Sequence, residues 1–293
     1  MSLIAILLSL LAESFWRGVE QWRRYDWFER YVDAFLPWLE KLQLPQGPLT
    51  VLAIVTPLIF AVWLAEAMLA GVWSGFAYLF GIAVLIFCLG PQDLNHQVQR
   101  YLDAVEAEDE DEAKRLACEI LGYACNEDDH PMQTAENLRE AVLTQIVDRL
   151  LGVLFWFVIL GPLGAALFRV SRLLQQYTLN STDAVSQAGQ RLYQIVFWLP
   201  ARLCVIGYAL AGNFVDAMSY WNSPADIWQR ESRDLLVASG VGALRQDMRV
   251  TAEKMLEEQD LSVGVSHALA LIKRTVIVWI VVLALLTLAG WLL

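Results

Sequence analysis

Residues 150–168 read LLGVLFWFVILGPLGAALF, an uncharged run that ends at Arg169. A stretch this long and this apolar can cross a lipid bilayer as one helix. Gly161, Pro162 and Gly164 interrupt or weaken a helical hydrogen-bond ladder, and lipid cannot replace the lost bonds. Such residues persist inside a membrane helix where protein surrounds them. The stretch therefore predicts a membrane helix whose middle packs closely against a neighbouring segment.

The composition of the chain agrees with a membrane protein. Apolar residues make up 57% of the 293 positions, and the mean hydropathy is +0.45. Soluble domains are about 45–50% apolar, so the excess indicates contact with the lipid bilayer. Charged residues still account for 18% of the chain, which predicts long water-facing segments. The net charge of −11 argues against a nucleic-acid partner, because such a partner requires a basic face.

Apolar segments recur along the whole chain. The candidates to cross the membrane are residues 3–12, 49–66, 72–90, 150–168, 195–212 and 275–293. The first candidate is short, and 195–212 contains Pro200 and Arg202, so the sequence leaves open whether these two cross fully. The pattern predicts an all-α fold, a polytopic membrane helical bundle of about four to six transmembrane helices with helical cytoplasmic loops. We expect a single membrane domain over residues 1–293.

The distribution of basic residues predicts an orientation. If every candidate segment crosses, the loops 13–48, 91–149 and 213–274 lie on one side and contain most of the 21 Lys and Arg residues. The opposite side contains Arg169, Arg172 and Arg191. Cytoplasmic loops are enriched in Lys and Arg, so the three long loops are expected in the cytoplasm and both termini outside. This asymmetry nearly vanishes if residues 195–212 neither cross nor re-enter the bilayer.

Residues 16–40 alternate aromatic and basic side chains, with Trp22 and Trp27 near Arg23 and Arg30. Both kinds of side chain favour the headgroup region of a membrane. The segment is therefore predicted to be an amphipathic segment at the membrane interface. A stacking platform for a planar ligand is the alternative interpretation.

The two longer loops also have helical patterns. Apolar residues in 91–149 recur at helical spacing, the acidic run 106–112 is typical of a solvated turn, and a helix is expected from Asp111 to Gly122. In 213–274, the Gly-x-Gly string at 240–242 lacks the third glycine and the preceding strand of a dinucleotide site. We therefore expect close helix packing there.

The chain has no metal or redox signature. Asp128, Asp129 and His130 could together bind a divalent cation, but a polar turn before Pro131 is the simpler interpretation. No metal and no other cofactor are therefore expected. No Cys-x-x-Cys string occurs, and reduced structural thiols are predicted for all four cysteines, Cys88, Cys118, Cys125 and Cys204.

Two strings resemble the integral-membrane CobD/CbiB family of the cobalamin pathway, whose members join an aminopropanol phosphate to a corrinoid carboxylate. Phe155-Trp156, Gly161-Pro162, Gly164-Ala165 and Phe168-Arg169 follow one family pattern, and Leu199-Pro200-Ala201-Arg202-Leu203 matches a second. Glu140 and Asp148 fall where that family carries acids. However, residues 172–177 read RLLQQY where the family has an Asn-Thr-Leu-Asp-Ser-Met block. Ligation requires charges at the reacting centre, so these losses argue against the ligase chemistry.

The order of these features along nearly the whole chain is similar to that of the AmpE family of inner-membrane proteins. The resemblance implies a regulatory or signalling modulator linked to β-lactamase induction and cell-wall recycling, in the bacterial inner membrane, without evident catalytic machinery. A membrane enzyme with altered amide-ligase activity is the alternative, and a transporter is a third possibility. Such a protein could bind a small ligand or a protein partner at its cytoplasmic loops and could form a homo-oligomer.

Four charged residues are the ligand-binding candidates: Glu140, Asp148, Arg169 and Arg202. Four further residues are candidates for helix packing: Gly161, Pro162, Gly164 and Pro200. A charged group inside a membrane segment is costly and usually pairs or lines a polar cavity. For Arg202 the possible partners are Asp148, Asp216 and Glu140, and the alternative is that its side chain extends to the headgroups.

Overall fold

The computed structural model describes residues 25–41, 47–89, 94–122, 131–178, 184–219, 231–254 and 261–289. All regular secondary structure in these ranges is helical. The segment 3–12 and the first part of the segment 16–40 lie outside the described residues. The helices, in chain order, are α1 (Asp26–Lys41), α2 (Pro48–Val72), α3 (Ser74–Cys88), α4 (Leu94–Glu106), α5 (Glu110–Leu121), α6 (Pro131–Ile146), a π-helical turn (Val147–Leu151), α7 (Gly152–Leu160), α8 (Pro162–Thr178), α9 (Ala184–Ala211), α10 (Phe214–Met218), α11 (Ser232–Lys254) and α12 (Leu261–Leu288).

Four helical stretches are long and apolar enough to cross a membrane: Pro48–Val72, Thr134–Leu160, Ala184–Ala211 and Val263–Leu288. A shorter apolar helix covers Gly75–Cys88. These stretches include most of the segments predicted at 49–66, 72–90, 195–212 and 275–293. The prediction of an all-α polytopic membrane bundle is confirmed.

The chain divides into two compact units, and unit 1 comprises residues 1–91, 148–200 and 286–293. In unit 1, α8 packs against α2, α3 and α7, and α1 packs against α2. One face of α1 is apolar, and its buried residues Phe28 and Val32 share a core with Ile54 of α2 and Leu174 of α8. The amphipathic pattern of this segment therefore supplies a packing face within unit 1.

The apolar run 150–168 is two helices rather than the single helix that its hydropathy predicts. Gly161 separates α7 from α8 with φ 63° and ψ −149°, a conformation that glycine adopts without a steric penalty. Pro162 then begins α8. A Cβ at Gly164 would lie 2.1 Å from the Trp156 carbonyl oxygen, so the backbones of α7 and α8 are in direct contact there. Hydropathy measures how apolar a run is, whereas the positive φ of one glycine decides where it turns.

Unit 2 comprises residues 92–147 and 201–285. Its helices α4, α5 and α6 pack on one another, and α11 packs against α6 and α10. Asp109 caps α5 by accepting from the Glu112 backbone N–H, and Gly122 ends it in the left-handed conformation. The helix predicted at 111–122, and the turn before it, are confirmed.

Two glycines of α11 allow close packing inside unit 2. A Cβ at Gly240 would meet the Leu143 side chain at 2.8 Å, and one at Gly242 would lie 2.6 Å from the Asp216 carbonyl oxygen. The expectation of close helix packing at 240–242 is confirmed.

The cysteines differ from the sequence prediction at one position. Cys88 and Cys204 are free and buried, whereas Cys118 on α5 is disulfide-bonded. The prediction of four reduced thiols is therefore wrong for Cys118. Sequence spacing alone did not reveal the pairing, because cysteine geometry depends on how the chain folds around it.

Candidate functional site

Asp148 lies in the π-helical turn between α6 and α7. A π-helical turn accommodates one extra residue in a helix, and such turns are frequent at functional sites. The Asp148 side chain faces the interior of unit 1, where the residue is only 4% exposed. A carboxylate at this depth requires partners for its charge.

Two side chains of unit 1 engage the Asp148 carboxylate. Tyr193 of α9 donates its hydroxyl to Oδ1, and Arg172 of α8 places Nη2 3.3 Å from Oδ2. The Arg172 guanidinium also lies over the Tyr193 ring, 5.4 Å from its centroid, and its Nη1 donates to Gln175 Oε1 at 2.5 Å. The turn, α8 and α9 are thus joined by one buried ionic cluster.

Arg169 lies one turn before Arg172 on α8 and is 6% exposed. Its Nε donates to the Cys88 carbonyl oxygen at 2.6 Å, at the end of α3. Its guanidinium lies 5.5 Å from the centroid of the Tyr25 ring. The Nη2 atom is buried and has no hydrogen-bond partner among the described residues.

Tyr25 completes the same helix end. Its hydroxyl lies 2.8 Å from the Phe87 carbonyl oxygen and 3.3 Å from that of Leu89. The single Tyr25 O–H lies within reach of the carbonyls of residues 87 and 89, and Arg169 Nε donates to that of residue 88. Side chains that donate to the last carbonyls satisfy acceptors that a helix leaves unpaired.

The other two charged candidates belong to unit 2. Arg202 of α9 is 5% exposed and donates from Nη1 to Ser232 Oγ at 2.5 Å. Glu140 of α6 is exposed, and its backbone carbonyl accepts from Thr144 Oγ1 at 3.1 Å. Of the four charged candidates, Asp148 and Arg169 are buried in unit 1, in the π-helical turn and in α8. In unit 2, Glu140 is exposed and Arg202 is buried.

The sequence did not single out Arg172 and Tyr193, although both bind Asp148. Arg172 carries a recognisable signal, because it follows Arg169 by three residues and so shares its helix face. Tyr193 carries none that a single sequence reveals, since its contact with Asp148 spans 45 positions. No group of three metal-ligating side chains occurs in the ranges that the structure covers, and residues 125–130 lie outside them.

The candidate membrane-crossing helices and the buried ionic cluster define the class of the molecule: it is a multi-pass membrane protein built from α-helices. The model of the family described as "Regulatory signalling modulator protein AmpE" matches residues 1–293. The chain belongs to the AmpE family.

Two curated relatives carry a different name. The chain is 28% identical over 252 residues to "Cobalamin biosynthesis protein CobD" of Stutzerimonas stutzeri, covering 81% of this chain and 80% of the relative. It is also 28% identical over 169 residues to the protein of the same name from Chromobacterium violaceum, covering 56% of this chain and 53% of that one. No solved structure matches the chain.

Proposed function

We propose that this chain is a regulatory protein of the bacterial inner membrane that modulates β-lactamase induction in response to cell-wall recycling. The observation that carries the proposal is the match of the AmpE regulatory family over residues 1–293. The family is described as a regulatory signalling modulator.

The unit 1 cluster supports a role other than ligation. A carboxylate that is activated or that accepts a proton must reach a substrate. Asp148 is instead buried, paired with Arg172 and hydrogen-bonded to Tyr193. Its surroundings suit a residue that fixes the geometry of the turn, α8 and α9. This arrangement favours a modulator over an enzyme that uses Asp148 directly.

The binding surface proposed for the regulator lies in the cytoplasm, in the parts of the loop regions 91–149 and 213–274 that precede the membrane-length stretches Thr134–Leu160 and Val263–Leu288. A small ligand or a protein partner would bind there. The basic-residue asymmetry supports this layout. The disulfide of Cys118 argues the other way, because disulfides are rare in the cytosol and persist in the periplasm. Labelling of single introduced cysteines near residues 120, 180 and 245 with an impermeant reagent decides between them. Protection at 120 and 245 with labelling at 180 is expected, and labelling near Gly240 from the periplasm would overturn the layout.

The function is tested by deleting the gene in its host and restoring it on a plasmid. We expect deletion to change the β-lactamase activity induced by a β-lactam, and the wild-type chain to restore it. An unchanged response on deletion would overturn the proposal. The variant Arg202→Ala, with Arg202→Lys as the charge-retaining control, then tests the buried arginine of unit 2. We expect Arg202→Ala to fail to restore induction at normal abundance, and full restoration would exclude a functional role for Arg202.

An amide-forming membrane enzyme is the second candidate, favoured by the 28% identity to a cobalamin biosynthesis protein over 80% of that relative's length. Rescue of a strain that lacks the corresponding ligase tests it directly. Growth without added cobalamin on expression of this chain would favour the enzyme. Absence of rescue by a chain that restores β-lactamase induction would favour the regulator.

A further inference from the structure

The guanidinium of Arg169 has a positive charge that no described side chain balances. Arg172, one turn further along α8, is paired with the Asp148 carboxylate. Arg169 has the neutral Cys88 carbonyl and the ring of Tyr25 as its contacts. Buried arginines are normally paired, because removing a charge from water is costly without a counter-charge. Of the two arginines of α8, Arg172 is therefore paired with a carboxylate and Arg169 is not.

The contacts at the end of α3 do not include the Nη2 atom of Arg169. The carbonyl oxygens of Phe87 and Leu89 lie at hydrogen-bond distance from the Tyr25 hydroxyl, and that of Cys88 accepts from Arg169 Nε. Nη2 is buried and has no partner. A buried donor without an acceptor in a native fold indicates a missing water or ion. For a charged donor, an anion also supplies the absent counter-charge.

We propose that Arg169, held at the junction of Tyr25 and the end of α3, binds an oxyanion: a phosphate or carboxylate group. The fixed Nε contact orients the guanidinium, so its remaining N–H groups form a fork that matches the paired oxygens of such a group. Tyr25 covers one face of the guanidinium and limits its movement. The oxyanion belongs either to a lipid headgroup or to a free ligand.

The experiment measures thermal unfolding of the full chain in neutral detergent, followed by tryptophan fluorescence. Sodium phosphate and sodium acetate are compared with sodium chloride at equal ionic strength, to separate oxyanion binding from screening. The lipid source is tested by adding phosphatidylglycerol to the same neutral detergent, with diacylglycerol, which lacks the phosphate group, as the control. We expect a saturable rise in Tm with one of the two sources. No rise with any of the oxyanions or with phosphatidylglycerol would overturn the proposal on the wild-type chain alone.

Arg169→Gln locates the binding. Glutamine retains an N–H donor for the Cys88 carbonyl and removes the charge, so we expect the affinity for the stabilising oxyanion to fall about tenfold or more. Arg30→Gln is the matched control, since it removes an exposed positive charge from the same unit and should leave the affinity unchanged. Equal affinity in Arg169→Gln and the wild type would overturn the site.

Arg169→Lys keeps the test valid if Arg169→Gln does not fold. Lysine retains the charge without the planar fork, and we expect a weakened but measurable rise in Tm. An unweakened rise would overturn the site at Arg169. A chain that binds no oxyanion yet restores β-lactamase induction removes the site and leaves the regulatory proposal intact. A chain that binds the oxyanion but has no effect on induction supports the site and overturns the regulatory proposal.

Discussion

The helical hairpin α2–α3 of unit 1 and the helices α4–α5 of unit 2 have the same secondary structure and opposite surfaces. On α2, large apolar residues are exposed, among them Leu52, Phe60, Trp63 and Met68. On α4, the exposed positions are polar, including His96, Arg100 and Asp103, while Val98 and Tyr101 are buried. The difference indicates that α2 faces lipid and α4 faces water. Exposed apolar side chains in this number are stable in lipid, whereas exposed charged side chains are stable in water.

The interiors of the two units also differ. Unit 1 buries the ion pair of Asp148 and Arg172 together with Arg169. In unit 2, one described buried contact uses a neutral acceptor: the Tyr208 hydroxyl donates to the Leu143 carbonyl oxygen. A buried pair depends on both of its partners, whereas loss of one neutral hydrogen bond costs less. We therefore expect unit 1 to be the more sensitive to changes of charge.

The largest effect is expected for Asp148→Ala. This change leaves Arg172 without its carboxylate, and removing one partner of a buried pair destabilises by about 3–5 kcal/mol. Chemical or thermal unfolding in detergent measures the loss. Glu112→Ala is the matched control in unit 2, because the Arg115 that it pairs with is exposed and its Tm should hardly change. Equal losses from the two variants would remove the contrast between the units.

A smaller loss is expected for Gly164→Ala, whose new Cβ would lie 2.1 Å from the Trp156 carbonyl oxygen. The backbones of α7 and α8 must separate, and overpacking of this kind costs about 3 kcal/mol. Gly71→Ala on α2 is the control, since a Cβ there meets nothing within 4 Å. Gly242→Ala tests the corresponding backbone contact in unit 2, with Asp216, and we expect a similar loss of stability. A stable Gly164→Ala would contradict the close contact between α7 and α8.

Trp156→Phe tests a single neutral bond in unit 1. The Trp156 indole donates from Nε1 to the Val196 carbonyl oxygen at 2.9 Å, which ties α7 to α9. Its loss should cost about 1 kcal/mol in the same unfolding measurement. A loss as large as that of Asp148→Ala would mean that neutral and ionic contacts contribute alike in this unit.

The smallest effect is expected for Tyr31→Phe, and it depends on pH. Burial raises the pKa of Tyr31 above its usual 10.0, and its hydroxyl donates to the Ile54 carbonyl oxygen at 3.0 Å. The folded state resists ionisation, so stability from this group is present below pH 10 and is lost as the pH rises through the folded-state pKa. Removing the bond should cost about 1 kcal/mol or less at neutral pH. The wild-type Tm should fall more steeply than that of the variant above pH 10, and parallel curves would contradict the assignment.

Much of the fold follows from the sequence, since periodicity and caps are local. Asp109 and Gly122 bound α5 by side-chain capping and a left-handed turn, and both signals are readable from residue type. The break at Gly161 was not predicted as a turn, because Gly and Pro in an apolar run are compatible with either a packed helix or a reversal. Hydropathy alone does not distinguish them.

The candidate site was predictable only in part. Asp148 and Arg169 were recognised through the resemblance to the CobD/CbiB family, which carries an acid and an arginine at the matching positions. Their partners were not, because Tyr193 and the Cys88 carbonyl are brought to them by contacts spanning 45 and 81 positions. Three-dimensional packing decides which buried charge has a partner, so a local sequence pattern cannot predict it.

The side-chain cap on α3 explains how that helix can stop early. At 15 residues, α3 is about 22 Å long, less than the roughly 30 Å of a bilayer's hydrocarbon core. A helix that ends short of the aqueous phase must find donors for its last carbonyls elsewhere. Tyr25 and Arg169 supply these donors at the end of α3. The helix can therefore be shorter than the hydrocarbon core of the membrane is thick.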